Sequence, residues 1–436
     1  MHPRPSLWHW GAGKLSSKAM TTNMKCNLTV RLAPRNAFIE YNKVWDMHFS
    51  PSAHVHWLPD KFNLSKAKVT VNVVPGGSYS SYDYMGDQLL RWQEERKQPK
   101  VPTRAFGQSD HQKSNRSLAM SSNPPLLSQI LANAVCVSNK ASAIVREIMA
   151  SGQLGVVEKT GLDDLQTKAD RSAQDCIVSS LKANFPGLAV IGEEGDELHG
   201  DVPAEWIVKD QDPRALQMGT PESVLKAKLE DFTIWVDPLD GTKEYTEGFL
   251  DHVTVLVGIA VKDKAVAGVI NQPFYNYQYP ELPQGRTLFG IDGVGVHGIE
   301  RVLPPKDARI VTTSRSHGTG LINDCTQACE PSEVIRVGGA GHKVLLLIEG
   351  RAHAYVFPSP GTKKWDTCAP QAILHALGGK LTDIHGAEFK YHKDVGRVND
   401  WGTLATSVAE EHQDYLSRIP QDMRDQVKDY FKNKKK

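Results

Sequence analysis

From Pro125 onward the chain switches repeatedly between stretches of helical period and short β-branched runs. That rhythm confines it to sheets covered by helices. Residues 126–150 are apolar at Leu127, Ile130, Leu131, Ala134, Val135, Ile144, Val145 and Ile148, the spacing of one buried helix face, and Gly152 stands just past the end. A second helix is expected over 167–183, closed by Asn184-Phe185-Pro186-Gly187, followed by a buried strand at 188–191. After a polar, acidic excursion over 195–231, strands are expected at 232–236, 253–261 and 265–270. Strands at 309–313, 334–337 and 352–357 then alternate with helices near 321–329, 343–349 and 367–377. The first part reads as α+β and the last as α/β, with no repeat at a fixed period.

The first 119 residues have a different texture. They mix Trp, His, Pro, Ser and Lys without sustained period; only 68–74 alternates like a strand, and 87–97 has the pattern of one short helix. Residues 98–123 are rich in Pro, Ser and Gln and read as a linker. We therefore expect a poorly ordered basic extension over 1–119, with Met120 as an alternative start, a metal-binding subdomain over 120–310 and a substrate-binding subdomain over 311–436. The chain carries 51 basic and 50 acidic residues, which gives no case for nucleic acid or a membrane surface. The balance hides an asymmetry, because the first 119 residues hold 17 basic against 8 acidic ones. An RNA-binding extension would use that charge, but Trp8, Trp10 and Trp57 are scattered and form no stacking motif.

Six cysteines are spread over 436 residues, which suits reduced thiols better than a disulfide scaffold. Cys325 and Cys329 have no partners at zinc-site spacing and read as buried thiols. The longest apolar run, 253–261, is too short to span a bilayer. No apolar leader precedes a small-residue cleavage site, so a cytoplasmic protein is expected. The Arg/Lys-rich, acid-poor first fifty residues have a transit-peptide composition without its amphipathic pattern, which leaves mitochondrial targeting as the alternative.

The chemistry concentrates at the ends of these strands and the starts of these helices. In Trp235-Val236-Asp237-Pro238-Leu239-Asp240-Gly241-Thr242 a buried strand ends in a carboxylate, and Pro238 is expected to stop the ladder. A second carboxylate follows three residues later. Gly241 permits close backbone approach, and a helix opening at Thr242 would offer N–H groups to a phosphate. Two hard oxygen anions beside such a cradle suit Mg²⁺. A turn with an Asp cap accounts for the same residues. Gly192-Glu193-Glu194 repeats the pattern at another strand mouth, where two solvated acids are the plain alternative. Thr167 and Asp170 have capping-box spacing, and Asp366 fits an N-cap before an apolar helix. Four modest signals at one end of a layered body are stronger together, because ligands of open α/β sheets gather there.

The combination and order of these segments resemble the inositol monophosphatase superfamily. Val157-Glu158-Lys159-Thr160, the run Asp164 to Asp170, the run Asp237 to Gly248, the run Gly268 to Pro273, the run Arg336 to Gly341 and the run Lys363 to Pro370 resemble its 3'(2'),5'-bisphosphate nucleotidase branch. The resemblance begins near Met120 and leaves the first 119 residues unmatched. It implies a layered α-β-α-β-α sandwich of the sugar-phosphatase type. It implies that Glu193, Asp237, Asp240, Asp366 and the Leu239 carbonyl hold two or three Mg²⁺ ions, and that Asp170 and Thr242 orient and deprotonate the attacking water. Gly241 and Thr242 amides would face the phosphoryl oxygens, and Ser314, His317, Gly339 and Lys343 would contact the nucleotide. Ser314 stands where the family often has Thr, and His342 where Asn is expected.

The resemblance further implies a lithium-inhibited phosphatase that hydrolyses the 3' (or 2') phosphate of adenosine 3',5'-bisphosphate to AMP, with the 1-phosphate of inositol 1,4-bisphosphate as a second substrate. An inositol phosphate phosphatase would share the metal site and differ only in the pocket. A catalytically dead metal or nucleotide sensor would have no need of Asp170 and Thr242. The sequence does not give an oligomeric state.

Overall fold

A computed structural model describes residues 26–31, 44–45, 68–73, 124–159, 165–195, 197–316 and 320–434. It divides the chain into Met1–Arg116 and Ser117–Lys436. Within the first unit, β1 (Cys26–Arg31) pairs antiparallel with both β2 (Val44–Trp45) and β3 (Lys68–Val73). The strand expected at 68–74 is β3, whereas β1 and β2 carry no alternation strong enough to read from sequence. The expected helix at 87–97, the linker and the expectation of poor order fall on residues outside those described.

The second unit opens with α1 (Leu126–Ser151), which ends as expected at Gly152 in the left-handed conformation. A two-strand hairpin of β4 (Val157–Glu158) and β5 (Leu165–Gln166) leads into α2 (Lys168–Asn184). Next come β6 (Ala189–Gly192) and β7 (Phe232–Asp240), α3 (Thr242–Glu247), then β8 (Thr254–Val261) and β9 (Lys264–Gln272). Strands β10 (Arg286–Ile291) and β11 (Gly295–His297) complete a six-stranded sheet ordered β11-β10-β9-β8-β7-β6, antiparallel except for the β6–β7 pair.

After residues 298–309 a five-stranded mixed sheet begins, ordered β13-β12-β14-β16-β15. Its elements are β12 (Ile310–Ser314), α4 (Gly320–Ala328), β13 (Glu333–Val337), α5 (Ala340–Ile348), β14 (Ala354–Phe357), α6 (Lys364–Ala376), β15 (Lys380–Thr382) and β16 (Thr403–Thr406). Helices α7 (His412–Arg418) and α8 (Gln421–Lys434) close the chain.

The layers follow from which side chains each strand presents to each face. On β7, Ile234 and Val236 pack with Ile130, Val135 and Ile177 of α1 and α2, while Trp235 points the other way, toward Val344, Cys368 and Ala372 of α5 and α6. Strand β8 splits likewise, with Val255, Val257 and Ile259 on one face and Leu256 and Ala260 on the other. The first sheet is therefore buried on both faces, as its near-continuous apolar runs require. Tyr355, Leu381 and Ala405 of the second sheet close the middle layer, and Val311, Val356 and Leu404 pack outward against Leu321, Tyr415 and Val427 of α4, α7 and α8. The order is α-β-α-β-α.

One contact sets the position of α6. Gly258 and Gly268 face each other across β8 and β9. A Cβ on Gly258 would fall 2.5 Å from the Cys368 Cβ, and one on Gly268 would fall 2.7 Å from the Ala369 Cα. The missing side chains let the helix lie directly on the sheet, with its N-terminus beside the end of β7.

Two local expectations are corrected. The ladder does not stop at Pro238: β7 continues to Asp240, and its register against β8 slips between Asp237, opposite Leu256, and Asp240, opposite Thr254. Pro238 is accommodated because the slip leaves Pro238 and Leu239 without Cα partners on β8, so no ladder N–H is demanded there. The helix carrying Asp366 starts two residues before it, so Lys363 is the N-cap and Asp366 lies in the first turn. Strands β10, β11, β15 and β16 and the two C-terminal helices were not read from sequence.

Candidate active site

The slip in β7 gathers the first two acids. With three residues of β7 spanning two of β8, Asp237 and Asp240 approach one point rather than taking alternate faces. Both are buried. Asp237 Oδ1 accepts the Leu239 N–H at 3.0 Å. Asp240 is clamped harder: Oδ1 accepts the Ala340 N–H at 2.8 Å, and Oδ2 accepts the Gly341 N–H at 2.8 Å and the Thr254 hydroxyl at 2.7 Å. The amides at the start of α5 are thus spent on a carboxylate of the chain itself.

Asp366 arrives from α6, where its Oδ2 accepts the Lys363 N–H at 2.7 Å across the first turn. Carboxylate oxygens of Asp237, Asp240 and Asp366 all lie within 4.8 Å of one another, the single such group among the described residues. Burial, then Glu193, Asp240 and Asp366, holds the Asp237 carboxyl well above its ordinary range. Burial raises Asp240, and burial with the charges of Glu193 and Asp240 pushes Asp366 up to about 7. Three acids this close cannot all ionise cheaply without a cation among them. Their donors are hard oxygens, so the residues fit Mg²⁺ or a similar ion.

Asp170 sits at the start of α2 and is fully buried. Its Oδ2 accepts the Thr167 N–H at 2.7 Å and the Thr167 hydroxyl, and the Thr167 hydroxyl accepts from Ala169. That is the capping box read from the sequence. Its second oxygen accepts the Thr242 hydroxyl at 2.9 Å, joining the start of α2 to the start of α3. Burial pushes the carboxyl up to about 7 against the Thr167 bonds. Thr242 Oγ1 also lies 3.1 Å from the Leu239 carbonyl. Gly241, the N-cap of α3, takes φ +91°, which a side chain would strain, and its Cβ would lie 3.3 Å from the His252 carbonyl.

Glu193 lies outside the three-acid group, but its charge is felt by Asp237 and Asp366. Its Oε1 pairs with Lys159 at 3.2 Å, and Lys159 also holds Glu194 at 3.1 Å. Ser314 ends β12 and is buried; Gly339 caps α5 with φ +68°. The Lys343 ammonium is buried too, donating to the Gly339 carbonyl at 2.9 Å and standing 5.5 Å from the centre of the Tyr355 ring. His317 lies outside the described residues. Sequence reasoning missed Thr254 and Lys159 as partners of the acids. Thr254 had no signal, since only strand register places it opposite Asp240, whereas Lys159 stood in a recognised segment without a role.

The family model for the inositol monophosphatase family matches residues 126–417. The chain belongs to that family. It is 52% identical over 306 residues to human "3'(2'),5'-bisphosphate nucleotidase 1", covering 70% of this chain and 98% of the relative. A Dictyostelium discoideum protein of the same name is 35% identical, over 65% of this chain and 93% of that one. The mouse "Golgi-resident adenosine 3',5'-bisphosphate 3'-phosphatase" is 31% identical, over 67% and 81%. This member is a phosphatase, and the family depends on metal. Among the described residues no helix is long and apolar enough to cross a membrane.

Proposed function

We propose that the chain is a Mg²⁺-dependent phosphatase that removes the 3' (or 2') phosphate of adenosine 3',5'-bisphosphate to give AMP and phosphate, and more slowly the 1-phosphate of inositol 1,4-bisphosphate. The observation that carries the reaction is the Asp170–Thr242 bond beside three mutually close carboxylates. The substrate is supported by 52% identity across nearly the whole of a named bisphosphate nucleotidase.

In this reading Asp237, Asp240, Asp366, Glu193 and the Leu239 carbonyl hold two or three Mg²⁺ ions. When bound, the metal neutralises the acids and draws electron density from phosphate oxygens. Water resting on Thr242 Oγ1 gives its proton toward that hydroxyl as the hydroxyl proton moves to Asp170 Oδ1. A carboxyl poised near 7 is suited to accept it at neutral pH. Thr167 keeps the other Asp170 oxygen occupied, so Oδ1 is the one left for Thr242. The Gly241 and Thr242 amides face the phosphoryl group, and Ser314, His317, Gly339 and Lys343 contact the nucleotide, Lys343 as a fixed positive charge near Asp240. A division between the two subdomains close to 310 is supported by the gap between the first sheet, which ends at His297, and the second, which begins at Ile310. Among the described residues five cysteines are unpaired thiols, which supports a cytoplasmic setting.

The test is phosphate release with Mg²⁺ from adenosine 3',5'-bisphosphate, inositol 1,4-bisphosphate and inositol 1-phosphate, with and without Li⁺. A kcat/KM at least about tenfold higher on the nucleotide is expected, a difference of about 1.4 kcal/mol, with inhibition by lithium. Release from the inositol phosphates alone overturns the substrate; release from none overturns the enzyme.

A further inference from the structure

Gln174 lies on α2, one turn beyond Asp170, and is 1% exposed. Its Oε1 accepts the Glu194 N–H at 2.9 Å, and its Nε2 donates to the Gly195 carbonyl at 2.9 Å. Both ends of one buried amide are therefore spent on the backbone that follows β6. The fit is close: a Cβ on Gly192 would fall 2.2 Å from Gln174 Oε1. Gly192 thus leaves the space that the amide fills.

The same backbone is fixed from the other side. The Glu193 N–H donates to the Val236 carbonyl at 3.0 Å, one residue before Asp237. Further along, Asp175, next to Gln174 on α2, accepts the His199 N–H at 3.1 Å and faces His199 Nδ1 at 2.9 Å. One helix thus grips this loop at two points while its first turn carries Asp170.

We propose that Gln174 is a positioning residue for Glu193, holding the turn after β6 so that the Glu193 carboxylate is presented to the Asp237–Asp240–Asp366 group. The inference rests on the metal reading of those acids. Gln174 touches neither metal nor substrate in this account; it sets how much of the Glu193 backbone must be ordered when an ion binds. Loss of an outer partner of this kind typically weakens metal binding on the order of 10-fold to 100-fold.

The experiment is a calorimetric titration of the full chain with Mg²⁺, for the wild type and Gln174→Met, alongside kcat at saturating Mg²⁺. Met keeps the volume and removes both hydrogen bonds. The expected result is a Kd for Mg²⁺ raised on the order of 10-fold to 100-fold, with kcat within about threefold of wild type once metal saturates. Unchanged Kd overturns the proposal, as does a fall in kcat alone. A wild type that binds no Mg²⁺ overturns the metal reading, and the clamp with it. Where the Met variant does not fold, Gln174→Asn replaces it. Asn keeps the amide chemistry but is one methylene shorter, so it cannot hold both the Glu194 N–H and the Gly195 carbonyl; weaker Mg²⁺ binding supports the clamp and equal binding overturns it.

Discussion

Replacing Asp366 by Asn should make the metal-free protein more stable while removing its activity. Asp366 titrates near 7 in the fold against 3.8 outside it. Holding it ionised at pH 8 therefore costs up to about 4 kcal/mol, at about 1.36 kcal/mol per pH unit. Asp366 keeps part of its surface in water, so about half of that, ~2 kcal/mol, is the expected gain from a neutral isostere. Asn can still accept the Lys363 N–H, so the first turn of α6 keeps its bond. The sign of the pH dependence follows from a raised carboxyl pKa. Stability from this group is complete below 3.8 and is lost as pH rises through about 7. The advantage of Asp366→Asn over wild type is therefore largest at pH 8 and fades toward pH 4. Saturating Mg²⁺ should reverse the order, because the wild type gains about 2.7 kcal/mol at a hundred times Kd and the variant has lost a ligand. Urea midpoints at pH 8 and pH 5, in EDTA and in Mg²⁺, measure all of this. A variant less stable than wild type in EDTA at pH 8, or a gain equal at both pH values, would refute the reasoning.

Asp237→Asn should reduce kcat by on the order of a thousandfold or more with an unchanged circular dichroism spectrum; a fully active variant would remove Asp237 from the metal set. Thr242→Ser should keep most activity and Thr242→Ala lose about 100-fold or more in kcat, since only Ser retains a hydroxyl for Asp170; equal rates would show the hydroxyl to be idle. Gly258→Ala should destabilise by about 2–3 kcal/mol, read as a lowered Tm, because the added methyl meets Cys368 of α6. Deleting residues 1–119 should leave kcat/KM unchanged, since the matched family region begins at Leu126; a large fall would show that the extension completes the site.

The layers were legible because the first sheet is buried on both faces, so β7, β8 and β9 read as apolar runs too short for helices. The edge strands were not. Strand β11 is three residues long and partly exposed, and β10 begins with Arg286 and Thr287, which carry no hydrophobic signal. Strands β15 and β16 are short as well, and they hold their places by pairing with each other and with β14 rather than by their own pattern. At the site, the acids were legible from their positions after apolar runs. Their spacing was not: the register slip between Asp237 and Asp240 depends on pairing with β8 and is invisible in β7 alone. Gln174 was unreadable for a related reason, since its partners are backbone groups on a different element.

Asp170 shows why the sequence left two readings standing. A capping Asp and a base are alternatives only if the carboxylate has one set of partners. Here Oδ2 serves the cap, through the Thr167 N–H and hydroxyl, and Oδ1 serves the site, through Thr242. The cap also serves the proposed role as base: by fixing the carboxylate plane at the helix start it aims Oδ1 at Thr242, and burial then raises the group to about 7. Asp366 combines roles in the same way, bonding the Lys363 N–H in its own first turn while it joins Asp237 and Asp240. In both helices the residue three positions past the cap carries the carboxylate we assign to the site. A helix start therefore supplies both a fixed backbone and a fixed acid, and placing two of them beside the slipped end of β7 brings the proposed base and the proposed metal ligands to one site without a long loop between them.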